Sequence, residues 1–139
     1  MPKMTGVAAH LRRLRKMRGP AVVRPVTQAL FKSAKDIADD AALSITAGAT
    51  SGKGHKPSTA PEPPNADTHV LSNNIEGIST GPLKAEATSN APYAAAQEFG
   101  SESQNLPERP YMRPAAARGR APTTANVVAA VNKVIRASG

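Results

Sequence analysis

The chain has no cysteine and no tryptophan. The first absence excludes a disulfide scaffold, a zinc–cysteine site, an iron–sulfur centre and a thiol nucleophile in one step. It also removes any need for an oxidising compartment. Two Phe and two Tyr are the whole aromatic complement. That is too few for the stacking platforms of sequence-specific RNA modules and single-strand binders. No apolar run approaches the ~18 residues of a membrane helix, so no membrane partner is expected. The N-terminus is charged but lacks an apolar stretch and a small-residue cleavage site, so no secretory signal is expected either. Large apolar side chains are also scarce. Val, Ile, Leu and Phe together make 23 of the 139 residues, whereas alanine alone makes 26. Such a composition lies near the disordered class, because little apolar area is available to offset chain entropy. A single small domain that borrows stability from a larger assembly is the expectation.

Acid is missing from both ends. Residues 1–35 hold nine basic side chains and no acidic one, and residues 109–139 hold six and none. All ten carboxylates lie between Asp36 and Glu108, among only three basic residues. The net charge of +8 is therefore a basic–acidic–basic layout. It suits a nucleic acid, or a second copy of the chain placed end against middle.

Two basic-to-amphipathic segments open the chain. Residues 5–18 read as a short helix with Thr5 as its cap, Val7, Leu11, Leu14 and Met17 or Arg18 on one side, and Gly19-Pro20 as its stop. His10 and the cations Arg12, Arg13, Arg15, Lys16 and Arg18 occupy the rest of its surface. This is either a solvated helix packed along one side or a contact for phosphate, lipid or an acidic partner. Residues 24–47 carry the clearest period: Val26, Leu30, Ser33/Ala34, Ile37, Ala41 and Ser44/Ile45 fall on one face. Pro25 suits the first turn of that helix and Gly48 its end. The organisation expected is a basic N-terminal helix or arm at 1–22 and one domain at 23–139.

The stretch 48–66, rich in Gly, Pro, Ser and Thr, keeps no apolar period and reads as a mobile loop or an arm that orders against a partner. Residues 68–80 and 82–89 read as strands joined at Gly81-Pro82, with Leu83, Ala85 and Ala87 alternating against Lys84, Glu86 and Thr88. Residues 91–99 read as a short helix ended by Gly100, 101–114 as a proline-punctuated loop, and 123–137 as the last helix. Thr123 or Thr124 is the expected cap of that helix, and Val127, Val128, Val131, Val134 and Ile135 its apolar face. The fold class that follows is α+β: a small antiparallel sheet packed by a long helix from the N-terminal half, a short helix and a C-terminal helix.

Chemistry-bearing patterns are weak. The glycines of 48–54 have three residues between them where a phosphate loop needs four, and Gly54 stands where that loop needs Ser or Thr. His10, His55 and His69 are scattered, and none has a second ligand at metal spacing. Asp36, Asp39 and Asp40 share a helix with Lys32 and Lys35 and read as surface charge. No enzyme, cofactor or metal is expected. A short turn for a helix-turn-helix is not evident between Gly19 and Arg24, which leaves only non-specific backbone contact with nucleic acid.

The informative segment is 92–114, which holds three of the four aromatics. Tyr93 and Phe99 are expected to anchor the short helix on the sheet. Pro107, Pro110 and Pro114 stiffen the return, Tyr111 and Met112 plug an apolar gap, and Arg109 or Arg113 reaches Glu98. A locally braced loop and a rigid edge offered to a neighbouring subunit are both consistent with this.

The block at 93–100 (YAAAQEFG) followed by that at 106–115 (LPERPYMRPA) resembles the neck and tail-completion proteins of long-tailed phages and gene transfer agents. In that family a Tyr-Ala…Glu-Phe-Gly stretch precedes a Pro-x-Arg-Pro-Phe-Met/Leu-Arg-Pro stretch and a C-terminal helix. Tyr111 stands at the usual Phe. A Thr-Gly-x-Leu-x-x-Ser-Ile motif is matched by 68–75, with His69 at the Gly and Asn74 at the Ser. The resemblance implies a non-enzymatic virion protein, assembled in the host cytoplasm as a ring, with six-fold symmetry, at the head–tail junction. Its partners would be other copies, adjacent neck or connector proteins, and tail-tube or terminator proteins. The subunit-contact loop would comprise Tyr93, Glu98, Phe99, Gly100, Pro107, Arg109, Pro110, Tyr111, Met112, Arg113 and Pro114. Arg12, Arg13, Arg15, Lys16 and Arg18 would face a partner or packaged DNA. The competing reading from charge is a small basic nucleic-acid-binding protein. A third is a transit peptide in the acid-free first 35 residues.

Overall fold

The computed structural model describes residues 5–47, 52–64 and 68–138. Helix α1 spans Val7–Arg18 and is followed, after Gly19 alone, by α2, Pro20–Thr46. Gly6, with φ 87, opens α1 without any side-chain capping bond, so Thr5 is not the cap expected. Helix α2 starts earlier than the period suggested. Pro20 takes its first turn, where a missing N–H costs nothing. Pro25 lies inside the helix, at the loss of one backbone bond. The boundary expected at 22/23 therefore falls within α2. Its buried face is Val26, Ser33, Ala34, Ala38, Ala41 and Ile45, close to the predicted stripe, with Leu30 and Ile37 half-buried.

Within the loop expected at 48–66, Gly52–Gly54 forms one 3-10 turn and 55–64 has no helix or strand; Pro64 is buried. Residues 48–51 and 65–66, with the stop expected at Gly48, lie outside the described residues. The strand expected from 68 begins instead with a single helical turn, α3, Val70–Asn73. Strand β1, Ile75–Gly81, then pairs antiparallel with β2, Lys84–Ser89, from Ile75↔Ser89 to Gly81↔Lys84. Leu83 sits in the connecting turn at φ 58 and is half exposed, so the inward row of β2 begins at Ala85.

Helix α4, Ala94–Phe99, is as short as expected. Helix α5 is not: it spans Met112–Ser138, so the proline-rich return ends at Tyr111 and Thr123 and Thr124 lie mid-helix. Their hydroxyls donate back to the carbonyls of Gly119 and Arg120 instead of capping. Of the apolar face foreseen there, Val134 is buried and Val128 is half exposed. The fold is α+β, with a two-stranded antiparallel sheet and helices.

Helix α2 organises the rest, touching α1, α3, α5 and both strands. It runs antiparallel to α5. Asn126 donates to Ser33 at 3.0 Å, and Arg118 pairs with Asp40 at 2.7 Å, so α5 descends as α2 rises. The hairpin crosses α2 at Gly77, where a Cβ would lie 2.6 Å from the Lys35 backbone nitrogen. Alanine supplies six of the eleven buried hydrophobic positions among the described residues. Among the described residues only Tyr111 and Ile45 are large and fully buried. They meet Ala41, Leu71, Ala91, Ala94 and Ala115 at the end of the molecule where α2 finishes and α5 begins.

Candidate functional site

The return from α4 to α5 is held by one carboxylate. Glu98 is 4% exposed. Its Oε2 accepts the backbone N–H groups of Tyr111 (2.8 Å) and Met112 (2.9 Å). Its Oε1 accepts the backbone N–H of Arg113 (2.9 Å) and its guanidinium Nε (3.0 Å). These backbone groups open α5 and have no acceptor within the helix. Glu98 is thus the N-terminal cap of α5, reached from 13 to 15 residues upstream. Burial pushes its carboxyl up. The three N–H donors and the guanidinium outweigh that and hold it below the usual carboxylate range. A carboxylate held ionised in this way is a fixed anchor, not a proton carrier near neutral pH.

Arg113 ties the same residues a second time. Its Nη2 donates to the Glu98 carbonyl (2.7 Å) and to Glu108 (3.1 Å). Its guanidinium carbon lies 5.0 Å from the Phe99 ring centroid, a cation–π distance. These carboxylates push its pKa further up. Gly100 then turns at φ 75 with its α-carbon against the Leu106 carbonyl, where a Cβ would approach to 2.9 Å. Ser101 and Leu106 exchange two backbone bonds of 2.9 Å, and the Arg109 N–H reaches the Gln97 carbonyl at 2.7 Å. Tyr111, 1% exposed, shares a hydrogen bond of 2.8 Å with Ser89. Burial is the main reason its phenol is pushed up.

The expected residues are thus brought together with exceptions. Glu98, Phe99, Gly100, Tyr111, Met112 and Arg113 form one bonded unit, and Arg113, not Arg109, reaches Glu98. The Arg109 Nε is buried without a hydrogen-bond partner among the described residues. Tyr93 and Phe99 do not anchor α4 on the sheet: they are 42% and 65% exposed, and α4 buries Ala94 and Glu98 instead. Pro107 is exposed, while Pro110 and Pro114 are half-buried. Ser89 and Glu108 complete the unit and carried no local signal, since each matters only through a side chain distant in sequence or across the return.

At the other end, Arg12, Arg13, Arg15, Lys16 and Arg18 are all exposed on α1 and make no ion pair among the described residues. Val7, Leu11 and Leu14 remain 40–47% exposed. Lys32 and Asp36 pair one turn apart at 2.7 Å. Among the described residues no three His, Asp or Glu side chains cluster as metal ligands, and no helix is long and apolar enough to cross a membrane. In comparisons with known proteins, no family, no curated protein and no solved structure matches the chain.

Proposed function

We propose that this chain is a structural, non-enzymatic protein of a phage neck, forming a ring that completes the tail and joins it to the head connector. One observation carries the reading. The two blocks that resemble the neck and tail-completion proteins, 93–100 and 106–115, fold against each other as one unit, with the Glu of the first capping the helix that starts within the second and pairing with its Arg113. A second supports it. His69, standing where the family motif has Gly, lies at φ 62, a conformation that glycine favours. Leu71 and Ile75 of the same motif pack in the core. The scarcity of large buried side chains among the described residues supports a subunit that draws stability from its neighbours.

The test is immunogold labelling, by electron microscopy, of purified particles from the host that encodes the chain. Label at the head–tail junction is expected. Its absence from particles, or label confined to capsid or tail tip, overturns the reading. The alternative, a small basic nucleic-acid-binding protein, draws on the five cations of α1 that make no ion pair among the described residues. It predicts binding of bulk duplex DNA by a monomer, with affinity falling steeply as salt rises.

A further inference from the structure

Two surface features lie at opposite ends of the α2–α5 pair and complement each other. At the elbow between α1 and α2, an open groove of about 480 Å³ is lined by Pro20, Val23 and Pro82 together with Arg18 and Arg24. Neither arginine makes an ion pair among the described residues. At the far end, the loop after α4 presents Phe99, at 65% the most exposed large apolar side chain among the described residues, beside Leu106 at 36%. Glu102 is exposed on the same loop and makes no ion pair among the described residues, while Glu108 is taken up by Arg113 at 3.1 Å. The groove is apolar and basic; the loop is apolar and offers the Glu102 carboxylate.

Their separation decides how they meet. Val23 lies at the groove, and Ile45 packs with Tyr111 beside the loop. The helix between them spans roughly 33 Å at 1.5 Å per residue. One chain cannot bring its own loop into its own groove, whereas a neighbouring copy can. A contact between two different patches of identical chains is heterologous, and repeats head to tail until a ring closes or a filament grows. We propose that the Phe99–Leu106 loop of one copy seats in the Arg18/Arg24 groove of the next, with Glu102 facing the arginines. This rests on the ring reading above and names its subunit contact.

Charge swapping tests it in the full-length chain. One variant carries Arg18→Glu and Arg24→Glu, the other Glu102→Lys. Each alone places like charges in the contact and should associate at least about tenfold more weakly than wild type by analytical ultracentrifugation. Mixed together, the two should regain assembly, because each loop then meets a groove of opposite charge, and the recovered assemblies should alternate the two chains. Circular dichroism on each variant checks that it is folded. Should the first variant not fold, Arg24→Glu alone replaces it. Wild-type oligomers that persist in both variants, mixtures that fail to recover, or a wild-type chain monomeric at its highest soluble concentration overturn the contact. Loss of duplex-DNA binding by the Arg18→Glu/Arg24→Glu variant with oligomers intact also overturns it, and makes the groove a nucleic-acid surface. Persistent wild-type rings in both variants leave the neck reading standing, since particle labelling judges that separately.

Discussion

Glu98 is the side chain on which the return between α4 and α5 depends. Its carboxylate meets three backbone donors and a guanidinium, so neutralising it leaves several buried donors without an equal acceptor. Glu98→Gln keeps the shape but sets an amide NH2 against those donors. We expect a loss of about 2 kcal/mol in urea unfolding. Arg113→Ala should cost less, since the backbone donors still reach the carboxylate. The pH dependence follows from the direction of the Glu98 shift. Its folded-state pKa lies below the ordinary value of 4.5, so the stability it contributes is complete above that value and is lost as pH falls through the lowered one. Thermal midpoints of wild type should drop more over that acid range than those of Glu98→Gln. Tyr111 offers a cleaner substitution. Tyr111→Phe fills the same space and removes only the bond to Ser89, an expected loss of about 1 kcal/mol, whereas Tyr111→Ala empties the largest buried position for about 4 kcal/mol.

Among the elements, α2 was legible because its period is long and its face is read from one stretch of chain. Its start was not, because Pro25 resembles a first-turn proline as well as Pro20 does. Helix α5 failed more deeply. Pro122 followed by Thr123 and Thr124 has the local form of a helix start, yet the helix passes through all three. Its true start is decided by Glu98, and its course by the face it lays against α2 through Ser33–Asn126 and Asp40–Arg118. The strand predicted from 68 lost its first residues to α3 for a related reason: Leu71 reaches the core from a helical turn. The hairpin's place on α2 depends on Gly77. Gly77→Ala puts a methyl into the α2 backbone, so β1 must move away, at an expected cost of about 2 kcal/mol by chemical denaturation. Hydrogen exchange in 75–89 should rise while that in α5 stays slow.

For the whole molecule, the alanine-rich interior sets the terms. Small side chains let helices approach closely but bury little area each, so the isolated chain is expected to be only marginally stable. The association proposed above would add stability by mass action. The thermal midpoint should rise with protein concentration, and added salt should lower that gain by screening Arg18 and Arg24 from Glu102. A midpoint independent of concentration would mark a self-sufficient monomer.

The sequence by itself determined the α+β class, the helical identity of 24–47, the turn at Gly81-Pro82 and the pairing of Glu98 with an arginine of the return. Each rests on a period, a glycine or proline, or a short stretch of chain, and these act locally. Only the tertiary structure decided that Tyr93 and Phe99 face outward, that α5 begins at Met112, and that Arg113 takes the carboxylate. It also decided that the basic groove and the loop bearing Phe99 and Glu102 lie at opposite ends. Such choices turn on which donors a buried carboxylate reaches and how two helices register, and those distances do not exist until the chain is folded.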